Sequence, residues 1–220
     1  MTQREFVAMG QADFLLSPEA PYHDAALAAL TGRRGTLSSA LEQLATRAVV
    51  LAGVAARLVE TLRTGHKVLI AGNGGSAAEA QHFAAELVGR FKRERMPYAV
   101  MSLTTDTSIL TAVANDYGYQ EVFARQLLAY GQPGDLLIAF STSGESENLV
   151  RAARAARNRE IAVVAVTGER SSRLERLADV TVRVPAADTA AVQELHMIVT
   201  HVLCDIAESA LAEQEGMAVA

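Results

Sequence analysis

Five short, continuous apolar segments alternate with stretches of helical periodicity through most of this chain. The segments are HKVLIAG (66–72), YAVMSLT (98–104), DLLIAFS (135–141), IAVVAVTG (161–168) and VTVRVP (180–185). A strand that is apolar on both faces must be covered on both sides, and in parallel sheets the crossover helices supply that cover. The pattern therefore predicts a doubly wound α/β fold: a three-layer sandwich in which helices flank a five-stranded parallel sheet.

The stretch 36–64 predicts a long N-terminal amphipathic helix whose apolar face is wide enough to pack against a partner subunit. Prolines and glycines punctuate residues 1–35, and GRRG (32–35) is typical of a linker. We therefore expect an N-terminal extension over 1–35, without assigned chemistry, and one domain over 36–213. The other predicted helices are 76–91, 107–130, 146–158, 171–177 and 188–213.

The charge and the cysteine content indicate which ligands the protein can bind and in which cellular compartment it works. The formal net charge is −5, and the densest basic stretch, RFKRER (90–95), is interrupted by an acid and predicts a solvated helix end. This disfavours nucleic acid as the main ligand. The single cysteine, Cys204, leaves no internal disulfide and no Cys-rich zinc module. Because no secretion signal or apolar run of about 18 residues is found, we expect a cytoplasmic protein without a membrane partner.

The loop GNGGSA (72–77) follows the first predicted strand and precedes a helix. Glycines let the backbone approach a ligand, and a helix N-terminus favours an anion such as phosphate. Gly72, Gly74 and Ala77 also fit a dinucleotide fingerprint. That match is weak, because the fingerprint needs an acid about 20 residues further on, at the end of the second strand. The second strand here ends in SLTTD, whose Asp106 lies about 30 residues downstream. No lysine follows the glycines, which argues against a P-loop.

A second loop, STSGESEN (141–148), follows the third predicted strand and carries four hydroxyls around one glycine: Ser141, Thr142, Ser143 and Ser146. A helix N-cap and a polar turn would account for one or two of them. Four in six residues predict a phosphate site. Because neither loop contains lysine or arginine, the anion would be held by hydroxyls and backbone amides.

Two helices carry candidate proton-transfer groups. His82 and Glu86 are four residues apart and so share one helix face, although such a pair is also typical of a surface hydrogen bond. On the last helix, His196 and His201 are five apart and point in different directions, so at most one of them should reach a shared site. His201 lies in an apolar stretch, where a buried histidine is the alternative.

A phosphate anchor beside a carboxylate and an imidazole suits an aldose–ketose isomerase. In that reaction one group removes a proton from carbon and another serves the oxygens of an enediol. Two histidines, a glutamate and a glutamine could also hold a zinc ion, which accepts N and O ligands.

The segments GNGGSAAEAQHFAAEL, ANDYGY, STSGES and VQELHMIVTH resemble the sugar-isomerase (SIS) domain family. Within it they are similar to the phosphoheptose isomerase family, which converts sedoheptulose 7-phosphate to D-glycero-D-manno-heptose 7-phosphate. The similarity runs from about residue 36 to 210. It implies that Glu86 is the base that moves a proton between C1 and C2, and that His201 is the acid that serves the oxygens.

The same resemblance implies a substrate site, a metal and an assembly. The implied substrate contacts are Asn73, Gly74, Gly75, Ser76, Asp116, Ser141, Thr142, Ser143, Ser146 and Gln193. The implied zinc ligands are His82, Glu86, Gln193 and His201. Gln193 and His201 are eight residues apart, roughly 12 Å along one helix, so both can reach one ion only if it sits between them. Family members form homotetramers with the site at subunit contacts. Alanines at 190 and 191 depart from the family pattern and leave substrate contacts there in doubt.

Two other functions remain open at this point. The chain also resembles the SIS-fold protein that associates with a bacterial replication initiator, but that regulator lacks equivalents of Glu86 and His201. SIS modules fused to DNA-binding domains sense sugar phosphates, although residues 1–35 show no helix-turn-helix pattern or basic stripe. The carboxylate and the imidazole favour the enzyme, since a binding module has no physical need for them.

Overall fold

The structure of this protein, a computed structural model, describes residues 20–218, with side chains described for 21–212. Residues 1–19, most of the predicted extension, lie outside the described residues. The described chain divides into two units, with the boundary between Ser39 and Ala40.

Seven α-helices and five strands make up the described part of the chain. They are α1 (Ala20–Ala45), α2 (Ala48–Arg63), β1 (Val68–Gly72), α3 (Gly75–Val88), β2 (Val100–Ser102), α4 (Thr107–Tyr117), α5 (Val122–Tyr130), β3 (Leu136–Ser141), α6 (Glu147–Arg157), β4 (Ala162–Thr167), β5 (Val180–Arg183) and α7 (Thr189–Ala218). Short 3-10 turns occupy Tyr119–Glu121 and Glu175–Leu177.

The five strands form one parallel sheet in the order β2-β1-β3-β4-β5. Every residue of β1 and β3 is buried, which is why their sequences are continuously apolar rather than alternating. One buried cluster joins α5 and α6 to the sheet through residues such as Phe123, Leu127 and Val150. The predicted α/β sandwich with its five-stranded parallel sheet is confirmed.

Several element boundaries differ from those predicted. The linker predicted at GRRG (32–35) is wrong, because these residues are helical within α1. A glycine inside a helix costs only about 1 kcal/mol relative to alanine, and no proline lies between Pro21 and the end of α1 to remove a backbone donor. The predicted helix 36–64 is interrupted at Thr46 and Arg47, which lie in a turn between α1 and α2.

The single helix predicted over 107–130 is two helices. Gly118 has φ 89° and ψ 153°, a conformation that ends α4 and that side-chain-bearing residues rarely adopt. The helix predicted over 171–177 is also wrong, since only Glu175–Leu177 winds into a 3-10 turn. There the Ser172 hydroxyl accepts a hydrogen bond from the Glu175 N–H (3.3 Å), a local bond that competes with a regular helix.

Among the described residues, one helix is apolar and long enough to cross a membrane by length and composition: the Thr189–Ala212 part of α7. This differs from the expectation that no such run exists. Half of this apolar stretch is buried inside the protein, and Leu195, Val199 and Leu203 are fully buried. A core helix of a globular unit has this character, so the composition of α7 is explained by its packing.

Candidate active site

The two glycine- and serine-rich loops meet at the point where the strand order reverses. β1 lies between β2 and β3, and its last residue, Gly72, is in register with Phe140 near the end of β3. The loops that leave β1 and β3 therefore emerge side by side at the carboxyl edge of the sheet. Ligands bind at this switch point in open α/β sheets, because loops and helix N-termini open a crevice there.

The loop after β1 needs glycine at two positions, one for its backbone conformation and one for a close contact with α7. Gly74 has φ +56° and ψ −122°, a conformation that favours glycine. A Cβ atom at Gly75 would lie 2.3 Å from Nε2 of Gln193, so the α7 side chain rests directly against this loop. The Ser76 N–H donates to the Asn73 carbonyl (3.0 Å) as α3 begins, and Ser76 is buried.

In the loop after β3, two of the four hydroxyls stabilise the turn. Ser141 Oγ accepts a hydrogen bond from the Gly144 N–H (3.0 Å), and Ser143 Oγ accepts one from the Glu145 N–H (3.2 Å). Ser146 stands at the N-cap position of α6, but its side chain makes no capping hydrogen bond. The polar-turn explanation therefore covers two hydroxyls and leaves the Ser146 hydroxyl available to a ligand.

A small cavity of about 80 Å³ joins the two loops to α7. It is lined by Asn73, Ser76, Phe140, Ser141, Thr142, Ser146 and Gln193. The structure thus brings together six of the predicted substrate residues from three separate segments. The N-termini of α3 and α6 open at the same edge and add partial positive charge, which suits an anion in a site without lysine or arginine.

Two residues of this site were missed by sequence reasoning. Asn148 Nδ2 donates to Asn73 Oδ1 (2.8 Å), and Asn73 Nδ2 donates back to Asn148 Oδ1 (2.9 Å). The Tyr119 hydroxyl also donates to Asn73 Oδ1 (3.1 Å). Both residues lie within quoted motifs, STSGESEN and ANDYGY, so the signal was present. Asp116, the predicted contact in ANDYGY, lies exposed at the end of α4 and accepts a hydrogen bond from Asn115 Nδ2 (2.8 Å).

A second cluster forms where α3 and α7 pack together. His82 Nε2 lies 3.0 Å from His201 Nε2 and 3.1 Å from Glu86 Oε1. The ligand atoms of the three side chains all lie within 4.8 Å of one another. His82 and Glu86 are partly exposed, with 41% and 21% of their side-chain surface open to solvent. The cluster places an imidazole and a carboxylate where a substrate or an ion can reach both.

The donor set of this cluster fits a zinc ion. Zinc binds imidazole nitrogens and carboxylate oxygens, and here three such donors already converge. Gln193, the fourth predicted ligand, contacts Gly75 at the start of α3, whereas His201 contacts His82 seven residues further along α3. α3 and α7 therefore run side by side in the same direction, and Gln193 lies roughly 12 Å from His201 along the helix axis.

His196 faces a different part of the α3–α7 contact from His201, as the five-residue spacing predicts. It is fully buried, and its Nδ1 lies 3.5 Å from Oε2 of the buried Glu79. The two histidines of α7 therefore do not share a site: His201 joins the partly exposed cluster, and His196 forms part of the buried helix contact.

Comparison with known proteins agrees with this architecture. The SIS domain family model matches residues 34–168. A phosphoheptose isomerase from Roseiflexus sp. (strain RS-1) is 52% identical over 169 residues, which cover 77% of this chain and 86% of that protein. One from Rhodospirillum rubrum is 46% identical over 176 residues, covering 80% and 94% of the two chains.

Solved structures give the same result. The structure of a phosphoheptose isomerase from Neisseria gonorrhoeae superposes with a TM-score of 0.78 at 38% identity, covering 86% of this chain and 99% of that one. The chain therefore belongs to the SIS domain family and, within it, to the phosphoheptose isomerases.

Proposed function

We propose that this enzyme converts sedoheptulose 7-phosphate to D-glycero-D-manno-heptose 7-phosphate through an enediol. The observation that carries the proposal is the convergence of His82, Glu86 and His201 in a chain that also builds a hydroxyl-lined anion cavity. The names of its relatives indicate the substrate class. In the proposal the cavity binds the phosphate, and the His82, Glu86 and His201 cluster transfers the proton.

The cavity between the two loops binds the phosphate in this proposal. The hydroxyls of Ser76, Thr142 and Ser146 and the N-termini of α3 and α6 converge on the anion. The paired amides of Asn73 and Asn148 fix the two loops relative to each other and so preserve the spacing of these donors. Gln193 and Asp116 contact the sugar hydroxyls.

Proton transfer falls to the second cluster. Glu86 removes a proton from C1 of the ketose and returns it to C2. His201 donates a proton to the oxygen on C2 and accepts one from the oxygen on C1, so no net proton is consumed. His82 lies within hydrogen-bond reach of both groups and holds them together. Such positioned acid–base groups contribute about 10²- to 10⁴-fold to a rate.

His82, Glu86 and His201 are also the residues that would hold zinc. Gln193, the fourth predicted ligand, lies roughly 12 Å from His201 along α7 and would complete the set only for an ion that sits between the two. A bound zinc ion polarises a carbonyl and so favours loss of the neighbouring proton. Equilibrium dialysis against Zn²⁺ checks this assignment: the unaltered chain should retain the ion, and His82→Ala should retain much less.

We further propose a cytoplasmic homotetramer in which subunit contacts close the site. The second cluster is partly open to solvent, and apolar side chains on the same two helices are exposed: Val88, Val202 and Ile206. A partner subunit would cover them. Light scattering of the purified protein should give a tetramer mass, and Ile206→Glu should reduce it.

Incubation of the purified protein with sedoheptulose 7-phosphate, followed by detection of the aldose phosphate, tests the function. We expect turnover with this substrate. If the unaltered chain shows no turnover but captures a replication initiator protein, the non-catalytic alternative replaces the isomerase.

Ser146→Ala should weaken substrate binding without affecting the fold. A hydrogen bond to a charged group is worth about 1.5 to 3 kcal/mol, so we expect KM for the ketose phosphate to rise at least about tenfold with kcat little changed. Because the Ser146 side chain makes no capping bond, the melting temperature should stay the same. Ser108→Ala, at an exposed position on α4, is the matched control. An unchanged KM in Ser146→Ala would remove this hydroxyl from the phosphate site.

A further inference from the structure

The segment 89–96, which follows α3, is mostly exposed, but a buried ion pair holds it in place. The sequence predicts a solvated surface for RFKRER, but the structure contradicts this for Arg95. Its side chain is 1% exposed and pairs with Glu208 of α7, whose side chain is 0% exposed (Nε to Oε1, 3.3 Å). The apolar composition of α7 gave no indication that Glu208 is buried.

Glu208 binds three consecutive backbone amides of this segment. Its Oε1 accepts from the Phe91 N–H (2.9 Å), and its Oε2 accepts from the N–H groups of Lys92 (2.7 Å) and Arg93 (2.9 Å). Burial alone raises the pKa of this carboxyl, but the three amide donors and the Arg95 charge outweigh burial, so its pKa lies below the ordinary value. The carboxylate is thus stabilised in its charged form by the segment that it holds.

Arg95 holds the opposite side of the same segment. Its guanidinium donates to the carbonyls of Glu86 (2.9 Å), Gly89 (2.8 Å) and Met96 (3.1 Å). Two of these carbonyls belong to the end of α3, where a cation is favoured by the helix dipole. The guanidinium also lies 4.2 Å from the Tyr98 ring. Arg95 therefore connects the backbone of Glu86 to the buried carboxylate of α7.

Phe91 connects segment 89–96 to the second cluster. Its ring stacks on the His201 imidazole, with 5.6 Å between centroids and 27° between planes. Lys92 Nζ lies 5.1 Å from the Phe91 ring and pairs with Asp205 (2.8 Å). Because Glu208 binds the amide of Phe91 itself, the position of the ring over His201 depends on the Glu208 carboxylate.

We propose that Glu208, Arg95 and Phe91 act as positioning residues for proton transfer, by clamping segment 89–96 so that the Phe91 ring holds the His201 imidazole opposite Glu86 and His82. The proposal rests on the proposed function, in which His201 acts on the substrate oxygens. None of the three residues needs to touch the substrate: Phe91 restricts the imidazole, and the buried ion pair restricts Phe91.

Two substitutions at Phe91 test the stacking. Phe91→Leu keeps an apolar side chain but removes the aromatic face, and we expect kcat to fall about tenfold with KM unchanged, because small misplacements of a catalytic group are costly. Phe91→Tyr keeps the ring and should retain the parent kcat. Met96→Leu, at an exposed position of the same segment, is the control. A parent-like kcat in Phe91→Leu, or an equal loss in Phe91→Tyr, would overturn the proposal.

A second readout does not depend on activity. In Glu208→Gln, hydrogen–deuterium exchange should show faster exchange of the amides of Phe91, Lys92 and Arg93, while the amides of β1 and β3 stay protected. A crystal structure of Phe91→Leu should show His201 in more than one rotamer. Unchanged exchange or a single parent-like rotamer would contradict the clamp, whether or not the chain turns over sedoheptulose 7-phosphate. Absence of turnover in the parent, with both structural results as expected, would instead contradict the proposed function.

Discussion

Glu86→Gln is expected to lower kcat for the ketose phosphate by about 10³-fold, within the range of general acid–base catalysis. Glutamine has nearly the same shape as glutamate but cannot accept a proton from carbon at neutral pH. The amide oxygen can still lie near His82, so the fold should be retained. Steady-state kinetics with sedoheptulose 7-phosphate measures the loss. KM should change little, because the proposed function assigns phosphate binding to the loops after β1 and β3.

The matched control is Glu94→Gln, which removes an equal charge from a side chain that is 92% exposed. It should leave kcat within about twofold, since exposed charge pairs contribute little. His201→Gln should show a loss comparable to that of Glu86→Gln. If Glu86→Gln kept more than a tenth of the parent kcat while the unaltered chain was active, Glu86 would not be the catalytic base.

Gly72→Ala is expected to destabilise the protein by about 3 kcal/mol, the upper range for an overpacked core. The new Cβ would lie 2.3 Å from the carbonyl oxygen of Ser76. That oxygen is backbone in the first turn of α3, and Gly72 itself is fixed by its pairing with β3 opposite Phe140. Neither side can move without disturbing the loop after β1. Urea unfolding should show a lower midpoint, and binding of the ketose phosphate should weaken together with stability.

Gly53→Ala is the matched control for this substitution. Gly53 lies inside α2, and nothing lies within 4 Å of the position that its Cβ would take. Alanine is favoured over glycine in helix interiors by about 1 kcal/mol, so the same chemical change should raise the unfolding midpoint here. If the two substitutions changed the unfolding midpoint equally, the contact between Gly72 and Ser76 would not explain the destabilisation by Gly72→Ala.

The sequence was most informative where a local pattern has one structural solution. The continuously apolar runs at 66–72 and 135–141 had to become buried parallel strands, because a strand without a polar face needs cover on both sides. The glycines and hydroxyls that follow these runs could then be assigned to the carboxyl edge of the sheet. Helix ends were less certain, since Gly32 and Gly35 continue a helix whereas Gly118 ends one, and glycine alone does not distinguish the two cases.

The sequence by itself determined the fold class, the family and the two loops that border the hydroxyl-lined cavity, because short-range periodicity and motif order specify them. Only the tertiary structure decided which side chains meet across α3 and α7. His82 contacts His201 from 119 residues away, and Glu208 binds the Phe91 amide from 117 residues away. Such pairs depend on how far each helix is rotated about its axis when it packs. That rotation is set by the whole buried interface, so no local pattern in either helix reveals it.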